Sequence, residues 1–250
     1  LIGHAEAFRT YGRYRKLPMQ AGEFELSRGM SPRQILETLA FGKPILYRLS
    51  FAEGLTMREV ARAVNATGLT TGERFLEACR DRDYLLSKGI NATDAEGYLF
   101  PETYFFARIP DQSPYPILDA LLERFRASVA DLPQAGDPEA LHRLVILASL
   151  VEKETAIPSE RPAVAGVYAN RLRQGWLLQC DPTIIYGLGE NFDGNLRRSH
   201  LQDASNPYNT YVHPGLPPGP ICSPGRASLQ AAASPDKHDF LYFVARPDGS

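Results

Sequence analysis

The first part of the chain carries one strand-like and one helix-like pattern of apolar positions. Residues 22–26 alternate between polar and apolar side chains, which predicts a short strand. Ser31 and Gln34 have the spacing of a capping box, with a proline at the first helical position between them. We therefore expect a helix with its apolar face in residues 35–39 and its end near Gly42.

A second unit follows with the same order of elements. Residues 45–51 have the composition of a strand, and residues 56–59 form a capping box that opens a helix. Thr70 and Glu73 have the spacing to cap a further helix. Strand, helix, helix over about 45–90 is typical of a small LysM-like module, although many small α+β units share this order.

The middle of the chain predicts a boundary between two domains. Residues 96–106 are dense in aromatic side chains but contain a proline, so we expect a connector packed between domains rather than a central strand. A helix over 116–129 and a polar loop come next. We place the boundary at residue 110, which gives an N-terminal region of 1–110 and a second domain of 111–250.

The second domain begins with helices and continues with a long irregular region. Helices are expected over 141–155 and 162–174, and a short one over 228–233. The intervening 176–225 is rich in Gly, Pro, Asn and Tyr, and such long irregular regions usually form binding surfaces. Residues 240–244 predict a buried strand. The fold class is therefore α+β.

Composition is that of an ordinary globular protein and excludes several classes of function. Hydrophobic residues make up 44% and charged residues 22% of the 250 residues, and the net charge of -2 gives no general attraction to nucleic acid. The three cysteines have no CxxC spacing and the five histidines no HExxH spacing, so we expect neither a metal nor another cofactor.

The start of the chain indicates a fragment or a processed form. The sequence begins at Leu1, without an initiator Met, inside what resembles folded sequence. The longest apolar run, residues 144–151, is far shorter than the roughly 20 residues that span a bilayer. A membrane anchor, if the native protein has one, is expected outside this chain.

Two glutamates at the end of the helix over 141–155 are candidates for acid catalysis. Residues two apart on a helix point about 200° apart, so Glu152 and Glu154 cannot both face one site. Glu154 continues the apolar face of Leu144, Leu147 and Val151, while Glu152 lies on a second face that is also largely apolar. Helix geometry favours Glu154 only slightly.

An apolar wall changes the chemistry of a carboxyl group. Desolvation raises the pKa, and a carboxylic acid that stays protonated near neutral pH can donate its proton to a leaving oxygen. The alternative is a structural glutamate paired with Lys153 or with an arginine of the next helix. The helix alone leaves both interpretations open.

Two loops combine amide, hydroxyl and aromatic groups. Such mixtures suit sugars, because planar side chains stack on pyranose rings while amides and hydroxyls bind ring substituents. Turn formation explains the same residues equally well. The candidate cleft residues are Gln179, Asp181, Thr183, Tyr186, Asn209, Thr210 and Tyr211.

The motifs together resemble one family. LASLVEKET at 147–155 is similar to the catalytic-helix motif of the MltG-type (YceG-like) endolytic murein transglycosylases. Further similarities follow in family order and cover nearly the whole chain. They are EGYLFPETY at 96–104, YANRL at 168–172, LQCDPTIIYG at 178–187, YNTY at 208–211, and GLPPGPI at 215–221.

The resemblance implies a periplasmic, peptidoglycan-cutting enzyme. Members are anchored in the bacterial inner membrane by one N-terminal helix and have a LysM-like subdomain before a mixed α+β catalytic domain. They cut nascent glycan strands between N-acetylmuramic acid and N-acetylglucosamine, leaving a 1,6-anhydro end, and are thought to act beside peptidoglycan synthases. The expected partners are therefore glycan strands and synthases, with no nucleic acid.

The resemblance also assigns roles to residues. Glu154 followed by Thr155 is similar to the Glu-Ser pair of lysozyme-like lytic transglycosylases, which makes Glu154 the catalytic acid, with Glu152 as the alternative. Cys180 stands where threonine or serine is usual, and the chain stops before a Gly-Gly-His-x-Phe stretch that the family normally has. Two other functions stay open, a lysozyme-type muramidase and a non-catalytic peptidoglycan-binding protein.

Overall fold

The N-terminal region begins with two helices. The computed structural model describes residues 5–108 and 111–244. Helices α1 (Ala5–Tyr14) and α2 (Pro32–Phe41) flank the segment 22–26. Both halves of the predicted capping box at the start of α2 are present. The predicted strand at 22–26 is wrong, because one backbone hydrogen bond, from Ile45 N to Glu23 O at 2.7 Å, does not make a ladder.

Two strands form an antiparallel sheet, and the next three helices lie between these strands in the sequence. Arg48 of one strand lies opposite Phe105 of the other. The first strand confirms the prediction, but the second forms at the end of the segment expected to be a connector. Pro101 precedes the second strand and so removes no ladder hydrogen bond. The elements are β1 (Leu46–Ser50), α3 (Met57–Ala66), α4 (Gly72–Cys79), α5 (Arg82–Ser87) and β2 (Thr103–Ala107).

Local capping fixes where α3 and α4 begin. The capping box of Thr56 and Glu59 opens α3 as predicted. The cap of α4 is Thr71, whose Oγ1 accepts a hydrogen bond from Arg74 N at 3.2 Å, and not the predicted Thr70. Thr70 is only 3% exposed, so it faces the core and not the end of the helix.

The second half of the chain packs helices around one almost fully buried helix. Residues 144–151 of α7 are all buried, and α8 and α11 pack against α7. Helix α8 ends before Gly175, which has a φ of 71° and so adopts the left-handed conformation expected of a helix-ending glycine. The elements are α6 (Tyr115–Val129), α7 (Pro138–Glu154), α8 (Arg161–Gln174), α9 (Asp181–Leu188), α10 (Arg198–Leu201) and α11 (Arg226–Ala233).

The last described segment does not form the predicted buried strand. Phe240 is 66% and Tyr242 62% exposed, and 240–244 pairs with no strand in the described part of the chain. Its carbonyl groups bind α8 side chains instead. Asn170 Nδ2 donates to the Phe240 carbonyl at 2.9 Å, and Arg171 Nε donates to the Leu241 carbonyl at 2.7 Å.

The whole arrangement confirms a mixed α+β fold. One buried cluster runs from the helices behind the sheet to α7, α8 and α11. Among residues 5–108 and 111–244, every helix is too short or too polar to cross a bilayer.

Candidate active site

Glu154 ends α7 with its carboxyl group half buried. Its Oε2 accepts a hydrogen bond from the Tyr168 hydroxyl at 3.1 Å and from the Cys180 thiol at 3.6 Å. Burial raises the pKa of Glu154, and the negative charge of Asp181 acts in the same direction. The two donors and the positive charge of Arg171 oppose that shift. The result is a carboxyl group suited to hold a proton and then release it.

Glu152 occupies a different environment, although it lies two residues away. Its side chain is only 5% exposed and pairs with Nη2 of Arg161 at 3.0 Å. The backbone N–H of Gly225 donates to its second oxygen at 2.9 Å. The alternative to catalysis, a structural glutamate paired with an arginine of the next helix, is therefore observed for Glu152.

Three of the predicted cleft residues lie near the surface beside Cys180. Asp181 is exposed, and its Oδ1 accepts a hydrogen bond from the Tyr211 hydroxyl at 2.6 Å. Gln179 is also exposed, and its backbone N–H donates to the Thr210 carbonyl at 3.1 Å. Because Cys180 touches Glu154, these groups border the candidate acid.

Three other predicted residues are buried and hold the loops together. Thr210 Oγ1 accepts a hydrogen bond from Cys180 N at 2.9 Å and lies 2.9 Å from Thr183 Oγ1. Asn209 is 0% exposed, and its Nδ2 donates to three backbone carbonyls of residues 200–203. In this conformation their polar groups bind protein atoms.

The seventh residue, Tyr186, connects α9 to the N-terminal region. Its hydroxyl donates to Oε2 of Glu96 at 3.0 Å, and its ring centroid lies 4.8 Å from that of Tyr208. The backbone N–H of Met57, at the start of α3, donates to the same carboxyl group at 2.9 Å. Burial raises the pKa of Glu96 to about 8.

Comparison with known proteins places this arrangement in a family. A sequence model of the YceG-like family matches residues 1–250. The chain belongs to the YceG-like family. It is similar to a Bacillus subtilis (strain 168) protein named endolytic murein transglycosylase, with 31% identity over 267 residues that cover 100% of this chain and 73% of the relative.

Two further similarities agree with the family. A Streptococcus pneumoniae serotype 2 (strain D39 / NCTC 7466) protein of the same name is 29% identical over 277 residues, 98% of this chain but only 50% of that protein. The crystal structure of a YceG-like protein from Listeria monocytogenes matches with a TM-score of 0.71 and 30% identity, covering 97% of this chain and 85% of that one. This YceG-like chain thus spans half the length of its pneumococcal relative.

Sequence reasoning missed the residues that surround the candidate acid of this YceG-like chain. Tyr168 lies in the YANRL motif and Cys180 in the LQCDPT motif, but their contacts with Glu154 come from tertiary packing. Glu96 lies in the EGYLFPETY motif, which was interpreted only as a connector. Within the described ranges, no group of three or more His, Cys, Asp or Glu side chains is placed to hold a metal ion.

Proposed function

We propose that this chain is the catalytic part of an endolytic peptidoglycan lytic transglycosylase with Glu154 as its acid and base. The observation that carries the proposal is the half-buried Glu154 carboxyl, bound by Tyr168 and Cys180 and raised in pKa. The names of its relatives support the same activity. Glu152 is a poor alternative, because its carboxylate is already bound by Arg161.

One carboxyl group is sufficient for this reaction. Glu154 donates its proton to the glycosidic oxygen as the bond to C1 of N-acetylmuramic acid breaks, and N-acetylglucosamine leaves as an alcohol. The resulting carboxylate then takes the proton of the C6 hydroxyl of the same muramic acid. The C6 oxygen attacks C1 and closes a 1,6-anhydro ring, so water is not consumed. An oriented intramolecular nucleophile has a large entropic advantage over water.

Asp181 favours a second candidate, a lysozyme-type muramidase. Most glycosidases use two carboxyl groups, and Asp181 is an exposed carboxylate whose charge acts on Glu154. In a transglycosylase the same charge would stabilise the cationic sugar of the transition state. Its hydrogen bond from Tyr211 limits its freedom to act as a nucleophile or base.

Mass spectrometry of the products separates the two reactions. Purified protein is incubated with uncross-linked glycan strands, with Glu154→Gln as the matched inactive control. We expect products with 1,6-anhydro ends, which weigh one water less than reducing ends. If the wild type forms reducing ends and Glu154→Gln does not, the enzyme is a muramidase and not a transglycosylase. Binding without any cut strands would favour a non-catalytic peptidoglycan-binding protein.

We infer a LysM-like subdomain from the order of elements between β1 and β2. A strand, helices and an antiparallel second strand support this interpretation, although α5 is an additional helix and β2 extends the unit to residue 107. The catalytic domain would then follow over 111–250. Glycan binding by the isolated subdomain is not required for the catalytic proposal.

We also propose a location and partners for the native protein. A substrate of nascent glycan strands requires this part of the chain to face the periplasm, held at the inner membrane by an N-terminal anchor and close to peptidoglycan synthases. Fractionation of cells that express the full-length protein tests the anchor. Recovery in the soluble fraction without membrane treatment would contradict it.

A further inference from the structure

A small polar pocket lies away from Glu154, between the N-terminal region and the loops of the second domain. Its volume is about 160 Å³. It brings together α5, the segment 91–94, the first turns of α7 and the two loops that contain the YNTY and GLPPGPI motifs. Its polar side chains are Arg82, Asn91, Thr93, Asp94, His142 and Tyr208.

The pocket is lined by two side chains of opposite charge that form no ion pair in the described part of the chain. Asp94 and Arg82 both line it, yet neither forms an ion pair within 4.0 Å in the described part of the chain. The backbone N–H of Glu96 donates to Oδ1 of Asp94 at 3.0 Å, which anchors that carboxylate. A ligand with both charges would bridge the gap.

The two remaining ring side chains supply neutral polar groups. His142 is hydrogen bonded through Nδ1 to the Tyr98 hydroxyl at 2.8 Å, and burial lowers its pKa, which favours the neutral imidazole. Burial raises the pKa of Tyr208 to about 12, so its hydroxyl stays protonated. Among residues 5–108 and 111–244, that hydroxyl has no hydrogen-bond partner.

The size and the lining together decide what the pocket can hold. Its volume gives room for several waters or for the head group of one amino acid. The charged lining favours an ionic head group over a neutral N-acetyl group.

We propose that this pocket binds an ammonium and a carboxylate carried on one carbon, as at the free end of the diaminopimelate residue in a peptidoglycan stem peptide. Asp94 receives the ammonium, while Arg82 and the Tyr208 hydroxyl receive the carboxylate. This inference rests on the proposed function for its substrate. Tyr208 also connects the pocket to the candidate active site, since it packs on Tyr186 and shares a motif with Tyr211.

Cross-linking of stem peptides has a direct consequence for this pocket. A cross-link acylates the ammonium group and removes its charge, so Asp94 loses its partner. The pocket would therefore favour glycan strands that are not yet cross-linked.

Calorimetric titration tests the pocket without turnover if the protein carries Glu154→Gln. The probes are a disaccharide tripeptide ending in meso-diaminopimelate, the same compound N-acetylated at the free amine, and free meso-diaminopimelate. We expect Asp94→Asn and Arg82→Gln each to weaken binding of the first probe about tenfold or more. N-acetylation should weaken binding to the unmodified pocket similarly. Arg62→Gln, at an exposed arginine outside the pocket, is the matched control.

The outcomes separate this proposal from the proposed function. Equal binding of both disaccharide probes, or unchanged affinity in both pocket variants, would overturn the pocket assignment. Free diaminopimelate that binds as tightly as the disaccharide tripeptide would overturn the assignment to stem peptides. Thermal melting checks that each variant folds, and Tyr208→Phe offers a milder change should Asp94→Asn unfold. Failure of the wild type to cut glycan would remove the proposed function but would not alter these affinities.

Discussion

The Tyr168 hydroxyl donates a hydrogen bond to the Glu154 carboxyl at 3.1 Å, which connects α8 to the end of α7. This bond stabilises the charged carboxylate and so lowers the pKa that burial raises. A general acid works only while it is protonated, so the role proposed for Glu154 predicts that cleavage is lost as the pH rises through that pKa.

Tyr168→Phe should therefore move the alkaline limb of the pH profile. Loss of the donor raises the pKa of Glu154, and we expect the limb of kcat/KM to shift upward by about half to one pH unit. Tyr84→Phe, which removes a hydroxyl bound to Asp119 elsewhere, is the control. An unchanged limb in Tyr168→Phe would show that this bond does not tune the acid.

The buried carboxyl group of Glu96 should make the free energy of unfolding depend on pH. Burial raises its pKa from 4.5 to about 8, so the folded state keeps a proton that the unfolded state releases. The stabilisation is present in full below pH 4.5 and is lost as the pH rises through about 8. Urea denaturation should give a lower free energy of unfolding at pH 8 than at pH 5.

The variant Glu96→Gln removes the titrating group but keeps an acceptor for the Met57 N–H. We expect the difference in unfolding free energy between pH 5 and pH 8 to shrink in this variant. Glu77→Gln, at an exposed glutamate, should keep the wild-type difference. If the unfolding free energy falls equally between pH 5 and pH 8 in the wild type and in both variants, Glu96 is not the group responsible.

Gly97 lies where the connector meets the GLPPGPI loop. It has a φ of 83°, and an added Cβ would lie 2.6 Å from Pro220 Cβ and 2.7 Å from Val145 Cγ1. Gly97→Ala should cost about 2–4 kcal/mol of unfolding free energy from overpacking and backbone strain. Gly89→Ala has a similar φ of 71° but open space, so it measures strain alone. Equal losses in the two variants would exclude the packing contribution.

Substitution of Asn209 tests whether this residue stabilises the fold or binds substrate. Its amide donates to three carbonyls and its Oδ1 accepts from Tyr211 N at 3.0 Å. Asn209→Ala should lower the unfolding free energy by about 2–4 kcal/mol, because buried carbonyls lose their donors. Chemical denaturation measures this, with the exposed Asn195→Ala as control. A normal stability with a raised KM would instead support a direct contact with substrate.

Local sequence rules predicted the elements whose causes are local. The capping boxes of α2 and α3, the apolar run of α7 and the glycine after α8 all lie within a few residues of what they determine. The α9 helix was missed because residues 176–225 were expected to be irregular, whereas Asp181 and Pro182 occupy the first turn of α9. Strand β2 was missed because its partner, β1, lies more than 50 residues earlier in the sequence.

The choice between the two glutamates shows the same limit. Helix geometry favoured Glu154 only slightly over Glu152. The decisive difference is the ion pair of Glu152 with Arg161, which exists only once α8 folds back on α7. The catalytic role of Glu154 itself stays a prediction.

Glycan cleavage by Glu154→Gln, compared with the wild type and with Glu152→Gln, tests that role most directly. We expect Glu154→Gln to fold normally and to lose cleavage by roughly 10²–10⁴-fold, the usual contribution of general acid-base catalysis. Glu152→Gln should lose about 1.5–3 kcal/mol of stability, because Arg161 keeps only its longer ion pair with the more exposed Glu53, while its folded molecules still cut. Full cleavage by Glu154→Gln, with cleavage lost in folded Glu152→Gln, would contradict the account.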